Sequence, residues 1–208
     1  MTGFPTAFGL TICGIEELGA QCAAGPSHVL SILDPDWPVP AAFGGFAAHR
    51  RLELRFHDVI EDLPGTAPPR PGHVREILAF GRDLLAGPAP AAHLLVHCHA
   101  GVSRSTAAMA LILAQALPDL PAGRILGEIL RIRPQAWPNL RLLELGDALL
   151  GRRGEMVAAA GEVYRRQIAL FPGLAEQMEQ GRRGREVAVA LGRRAASSAA
   201  QSPAGAAR

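Results

Sequence analysis

The sequence contains no lysine. All 21 of its basic residues are arginine, set against 19 acids in 208 residues. With abundant alanine, glycine and proline, this composition reads as coding bias, so an arginine counts as functional only where its position explains it. Cysteine is scarce as well. Cys13, Cys22 and Cys98 form neither a paired framework nor a C-x-x-C motif, which excludes a disulfide scaffold and suits a reducing compartment. No uncharged apolar run reaches membrane-spanning length. Met1-Thr2-Gly3-Phe4-Pro5 lacks the basic and apolar regions of a secretion signal. A cytoplasmic protein with no membrane contact is expected.

What is present supports a globular core. Hydrophobic residues make up 49% and charged residues 19%, enough for one ordinary domain with an extension or for two small ones. Charge is uneven. Residues 1–150 hold 11 Arg against 14 acids, whereas residues 151–208 hold 10 Arg against 5 Glu. The basic tail reads as a solvated helix bearing Arg-Arg pairs rather than as a nucleic-acid contact. Nothing indicates an oligomeric state.

The chain is organised around His97-Cys98-His99-Ala100-Gly101-Val102-Ser103-Arg104-Ser105-Thr106. The apolar run Leu94–Val96 precedes it and the helix-forming run Ala107–Leu113 follows. The pattern predicts a buried strand, a turn and a helix N-terminus. Free N–H groups and the helix dipole favour an anion in such a turn, and the same field favours the thiolate of a cysteine placed there. Arg104 can fork onto two oxygens of the anion. A nucleophile, an anion cradle and a cation thus fall within ten residues.

Elsewhere, strands are expected at Leu10–Cys13, Ser27–Leu33, Leu52–Phe56 and Leu94–Val96. A short helix is expected over Ile15–Cys22. Longer ones run from Pro71 to about Gly87, from the cysteine turn to about Leu117, over Ala122–Arg133 and over Leu140–Leu150. Residues 34–49 and 57–70 read as loops. Residues 155–191 predict one or two helices, broken near Phe171-Pro172-Gly173. Strands alternating with helices, followed by helices alone, indicate an α/β sandwich. Its central sheet should have four to five mostly parallel strands flanked by helices.

The segment Cys98–Arg104 resembles the H-C-x5-R-[ST] phosphate loop of the cysteine-dependent tyrosine phosphatase superfamily. With Ala100, Gly101, Ser103 and Ser105 in place, it is similar to the dual-specificity branch, of bacterial type. Arg133-Pro134 followed by Pro138-Asn139 resembles the R-P-x3-P-N turn of those domains. The resemblance spans roughly residues 10–150. It implies a phosphatase domain over 1–150; the weaker pattern beyond predicts a helical extension over 151–191, and the Ala/Ser/Gly/Arg composition a disordered tail over 192–208.

The resemblance implies a role for each residue. Cys98 attacks phosphorus and forms a phosphocysteine intermediate. The backbone of His99, Ala100, Gly101, Val102, Ser103 and Arg104 binds the phosphate, and the Arg104 side chain holds two of its oxygens. Ser105 donates to the departing thiolate, and His97 orders the loop. Asp58, 40 residues before Cys98, is the expected general acid, with Asp62 and Glu61 as alternatives on the same loop. No metal or cofactor is implied. The expected substrate is a phosphorylated protein, through phosphotyrosine and additionally phosphoserine or phosphothreonine.

With Tyr164 as the single tyrosine, the Tyr-rich clamp of the larger enzymes is missing, and a shallow, tolerant site is expected. Trp37-Pro38 is similar to the Trp-Pro-Asp loop of those enzymes, but Val39 follows and the position is too early for the acid. Trp37 is therefore read as a loop anchor, and Trp137 as core. His93, His97, His99 and Cys98 invite a metal reading, yet no second ligand pair has zinc-site spacing. Two other functions use the same loop. A rhodanese-type sulfurtransferase also begins its loop with cysteine at a helix N-terminus. A non-catalytic phosphate-binding module would keep Cys98 and Arg104 without needing the acid.

Overall fold

The computed structural model describes residues 4–86 and 92–193, so nearly all of the expected disordered tail lies outside the described residues. Strands β1 (Gly9–Cys13), β2 (His28–Leu33), β3 (Arg50–Arg55) and β4 (His93–His97) form one sheet in the order β1-β4-β2-β3. Every pairing is parallel. The central strands β2 and β4 are covered on both faces. Leu30, Ile32, Leu94 and Val96 enter the large core under the long helices. Val29 and Leu95 turn to a smaller cluster with Cys13 and Leu18, covered by Phe43 and Phe46. Burial on both faces is why these strands are apolar almost throughout.

The edge strand β3 begins at Arg50, two residues before the expected Leu52. Arg50 and Arg51 pair with His28 and Val29 through their backbone alone. A hydrophobic pattern does not register such pairing.

The helices follow their apolar spacing. Helix α2 (Pro71–Ala86) opens on Pro71, whose missing N–H costs nothing in a first turn, and buries Val74, Ile77, Leu78 and Leu84. Its expected end at Gly87 lies outside the described residues. Helix α3 (Arg104–Ala116) is buried continuously from Arg104 to Ala114, as a helix that is apolar all round must be. Helices α4 (Ala122–Ile132) and α5 (Leu140–Leu150) pack on it. The expected helix Ile15–Cys22 is instead a single α-turn, α1 (Leu18–Gln21), between two 3-10 turns.

Beyond residue 150 there are three helices where one or two were expected: α6 (Glu155–Leu170), α7 (Leu174–Gln180) and α8 (Gly184–Ala190). The break at Phe171-Pro172-Gly173 is present. A second break falls at Gly181–Arg183, where Arg182 adopts φ 60°. Asp147 in α5 fixes the start of α6 by accepting from Gly154 N (2.6 Å) and Met156 N (2.8 Å). From that corner α6 packs along α4 and α5 and carries α8. Among the described residues no helix is long and apolar enough to cross a membrane.

In an all-parallel sheet the C-terminal strand ends share one edge. That edge is where ligands bind in open α/β sheets. Here it gathers Gly14 after β1, Asp34 after β2, Phe56 and Asp58 after β3, and Cys98 after β4.

Candidate active site

Alternation along β4 sends Leu94 and Val96 to the large core, which Cys98 joins, and turns His97 to the opposite face. His97 is fully buried there, its ring 5.6 Å from that of Phe43. Burial, unrelieved by a well-formed hydrogen bond to either ring nitrogen among the described residues, pushes its pKa down to about 4. Cys98 is also buried. Its Sγ lies 3.2 Å from the hydroxyl oxygen of Ser105 in the first turn of α3.

The loop after Cys98 has all its carbonyls held from outside. His99 O accepts from Ile15 N at 2.9 Å. Ala100 O and Gly101 O accept from Arg133 Nη2 (2.9 Å) and Nε (3.1 Å). Val102 O accepts from Trp137 N at 2.9 Å, and Ser103 O from Asn139 N at 3.2 Å. By contrast, none of the backbone N–H groups from His99 to Ser103 donates to another described residue. Each peptide has its carbonyl engaged and its N–H free at the N-terminus of a 13-residue helix. Such an array is an anion cradle.

Two glycines make this curl possible. Gly101 has φ +68°, and a Cβ there would lie 2.5 Å from the Cys13 carbonyl carbon. A Cβ on Gly14 would lie 2.8 Å from His99 O.

Arg104 is only 3% exposed. Its Nη1 donates to Asp34 Oδ1 (2.6 Å) and to Phe56 O (2.6 Å), which fixes the guanidinium. Its Nε is buried without a partner among the described residues. Orphaned buried donors are rare and costly, so this one points to a ligand. His99 accepts from Asp34 N at 3.2 Å through Nε2, so Asp34 orders two neighbours at once. Burial and the nearby Arg104 charge lower the His99 pKa, against Asp34 and Asp58.

Of the three candidate acids, the structure brings Asp58 to the loop. Asp58 Oδ1 accepts from Ser103 Oγ (2.7 Å) and Asn139 Nδ2 (2.8 Å), and Arg183 Nη1 lies 3.2 Å away. Burial would raise its pKa, but the Arg183 and Arg104 charges and these two hydrogen bonds outweigh it and hold the carboxyl below its ordinary range. Glu61 pairs with Arg185 at 2.6 Å. Asp62 pairs with Arg70 (3.0 Å) and Arg141 (3.1 Å).

Several residues of the site escape a sequence reading. Asp34 reads as a strand-ending turn and Arg183 as part of a solvated Arg pair. Glu17 binds Arg133 at 2.8 Å and accepts from Gly14 N at 2.6 Å, though no motif marks it. Asn139 was visible in the R-P-x3-P-N turn, but without its task. It also caps α5 by accepting from Leu142 N at 3.0 Å.

Trp37 needs a correction. Its side chain anchors nothing in the core, being 45% exposed with its ring 4.4 Å from that of His99. The loop is tied down through its backbone instead: Trp37 N donates to Asp34 O (3.1 Å), and Trp37 O accepts from the Arg55 guanidinium. Trp137 is core as expected, buried against Tyr164. Among the described residues no group of three His, Cys, Asp or Glu could hold a metal ion.

No family profile matches the sequence, and no curated protein matches it. Solved structures do. Human DUSP28 superposes with a TM-score of 0.52 at 20% identity, covering 69% of this chain and 94% of that one. The PTP-2 phosphatase of Cydia pomonella gives 0.52 at 16% identity, covering 67% and 84%. What is shared at such identities is architecture: this chain has the α/β fold of the dual-specificity phosphatases.

Proposed function

We propose that the chain is a cysteine-dependent phosphomonoester hydrolase acting on phosphotyrosine proteins, with phosphoserine and phosphothreonine open as additional substrates. The observation that carries the reading is the loop beside Cys98. Its carbonyls are all engaged from outside, while among the described residues the N–H groups from His99 to Ser103 are free and the buried Arg104 Nε lacks a partner. A tetrahedral oxyanion is the ligand that uses all of these donors together. In this reading residues 1–150 are the phosphatase domain and 151–191 its helical extension.

The Cys98 thiolate attacks phosphorus in line, forming a P–S bond as the ester P–O bond breaks. The loop N–H groups and Arg104 hold the equatorial oxygens through the displacement. Asp58 is held ionised in the unliganded site. The phosphate's negative charge beside it favours its protonated form in the bound complex, and that form gives its proton to the leaving oxygen. As a carboxylate it then takes a proton from the water that attacks the phosphocysteine. The P–S bond breaks, inorganic phosphate leaves, and the Ser105 hydroxyl donates to the returning thiolate. No step uses a metal or cofactor.

Trp37 supports an aromatic ester as substrate. An exposed indole packed on the ring of His99 offers the rim of the cradle an apolar face. The proposed site thereby favours aryl phosphates among the substrates a shallow site admits.

The test is hydrolysis of an aryl phosphate with a good leaving group beside an alkyl phosphate. Wild type should hydrolyse both, and Cys98→Ser neither. Asp58→Asn should slow the alkyl ester on the order of 10²–10⁴-fold and the aryl ester far less. Trp37→Ala should raise KM several-fold for the aryl ester alone. Wild-type turnover no faster than that of Cys98→Ser would end the phosphatase reading. Thiosulfate–cyanide turnover in that case would establish the sulfurtransferase instead.

A further inference from the structure

We propose that Arg183, supplied by the helical extension, is a positioning residue for Asp58, fixing one carboxylate oxygen against the phosphate loop and leaving the other to carry the proton. The inference rests on the assignment of Asp58 as the acid.

The geometry is a closed ring of bonds. Arg183 Nη1 lies 3.2 Å from Asp58 Oδ1. Its Nη2 donates to Ser103 Oγ at 2.9 Å, and Ser103 Oγ donates to the same Asp58 oxygen at 2.7 Å. Asn139 adds a second hydrogen-bond donor to Oδ1, whereas Oδ2 has no partner among the described residues. Two donors and the Arg183 cation on one oxygen fix the plane of the carboxylate, so the proton is carried on Oδ2.

Arg183 is itself held in place. Its Nε and Nη2 form a fork on Glu186, at 2.6 and 2.7 Å. Glu186 is fully buried and also accepts from Trp137 Nε1 and from Leu140 N (3.1 Å). A guanidinium engaged on both edges has little left to offer a substrate, which separates its role from that of Arg104. Arg183 stands at the entry to α8, which packs on α6. The extension therefore reaches the proton-transfer group directly. Burial disfavours the Arg183 charge, but Glu186 and Asp58 more than restore it and raise its pKa, so it stays cationic throughout.

The charged and titratable groups around Asp58 are Arg183 from α8, Arg104 from α3, His99 from the loop and Tyr164 from α6. Glu186 stands behind Arg183. Arg183 and Arg104 are the two cations that hold Asp58 ionised, so removing Arg183 should make the carboxyl easier to protonate.

The test is the pH profile of kcat on an alkyl phosphate, whose basic limb follows the acid in the bound complex. Arg183→Gln should move that limb up by about one pH unit. Arg183→Lys, which keeps the charge and loses the fork, should leave the limb near its wild-type position and lower kcat about tenfold. An unmoved limb in folded Arg183→Gln overturns the proposal. If that variant does not fold, Arg183→Lys decides: losses equal on aryl and alkyl esters overturn the proposal, and a loss confined to the alkyl ester supports it. Asp58→Asn is the control for the underlying assignment. If it keeps the limb, the acid is another residue; if it abolishes the limb while Arg183→Gln leaves it fixed, only the role of Arg183 falls.

Discussion

The loop from His99 to Arg104 and the cluster around Asp58 lie side by side, joined through Ser103, yet their hydrogen bonding is opposite. In the loop, carbonyls are engaged and donors are free, down to the buried Arg104 Nε. Around Asp58, one oxygen accepts two hydrogen bonds and the cation facing it is held on both edges. A region left with unmatched donors is built to receive a ligand. A region matched internally is built to hold something still. On the proposed reading, the phosphate is the variable part of the site and Asp58 is fixed before it arrives.

That contrast can be broken most severely at Arg104. Arg104→Ala should lower kcat/KM for an aryl phosphate by on the order of 10²–10³-fold, because the loop loses the side chain whose donor has no other partner. A loss below tenfold in steady-state kinetics would mean that the free Nε is not a ligand for the substrate.

Gly101→Ala comes next. It places a Cβ at φ +68°, 2.5 Å from the backbone of Cys13, so the loop must open. Thermal unfolding should show a loss of about 2 kcal/mol or more, and inorganic phosphate should no longer protect the variant. Arg133→Gln removes the clamp on the Ala100 and Gly101 carbonyls while sparing the curl itself. About a tenfold loss in kcat/KM is expected, with the Asp58-dependent pH limb unchanged.

The smallest effect lies behind the loop. Burial holds His97 at about 4 in the folded chain, below its ordinary value. The unfolded chain therefore binds the extra proton between these two values. Stability is full above about pH 6.5 and is lost as the pH falls toward 4, by about 1–3 kcal/mol. His97→Leu should flatten that slope in denaturant titrations across the window.

How legible each region was follows from how local it is. The loop lay open in the sequence because Cys98, Gly101 and Arg104 sit within ten residues between a strand and a helix. The parallel sheet was legible too, since β2 and β4 are apolar runs buried on both faces. The acid loop was half legible: Asp58 could be ranked ahead of Glu61 and Asp62 by its place after β3, while its partners were hidden. Arg104 meets Asp34 across 70 positions, and Ser103 meets Arg183 across 80. No spacing rule reaches that far. In a chain whose only cations are arginines, nothing local sets Arg183 apart from Arg182, and only the buried Glu186 gives it a task. Trp37 was read as a loop anchor, whereas its exposed ring packs on His99, a placement that its position between prolines does not signal.

The central claim is that Cys98 carries the phosphoryl group. Rapid-quench mass spectrometry of the protein mixed with an aryl phosphate tests it directly. A transient adduct of one phosphoryl group is expected on the peptide containing Cys98, forming and decaying at the rate of turnover and absent from Cys98→Ser. Turnover with no adduct on Cys98, or an adduct on another residue, would contradict the account.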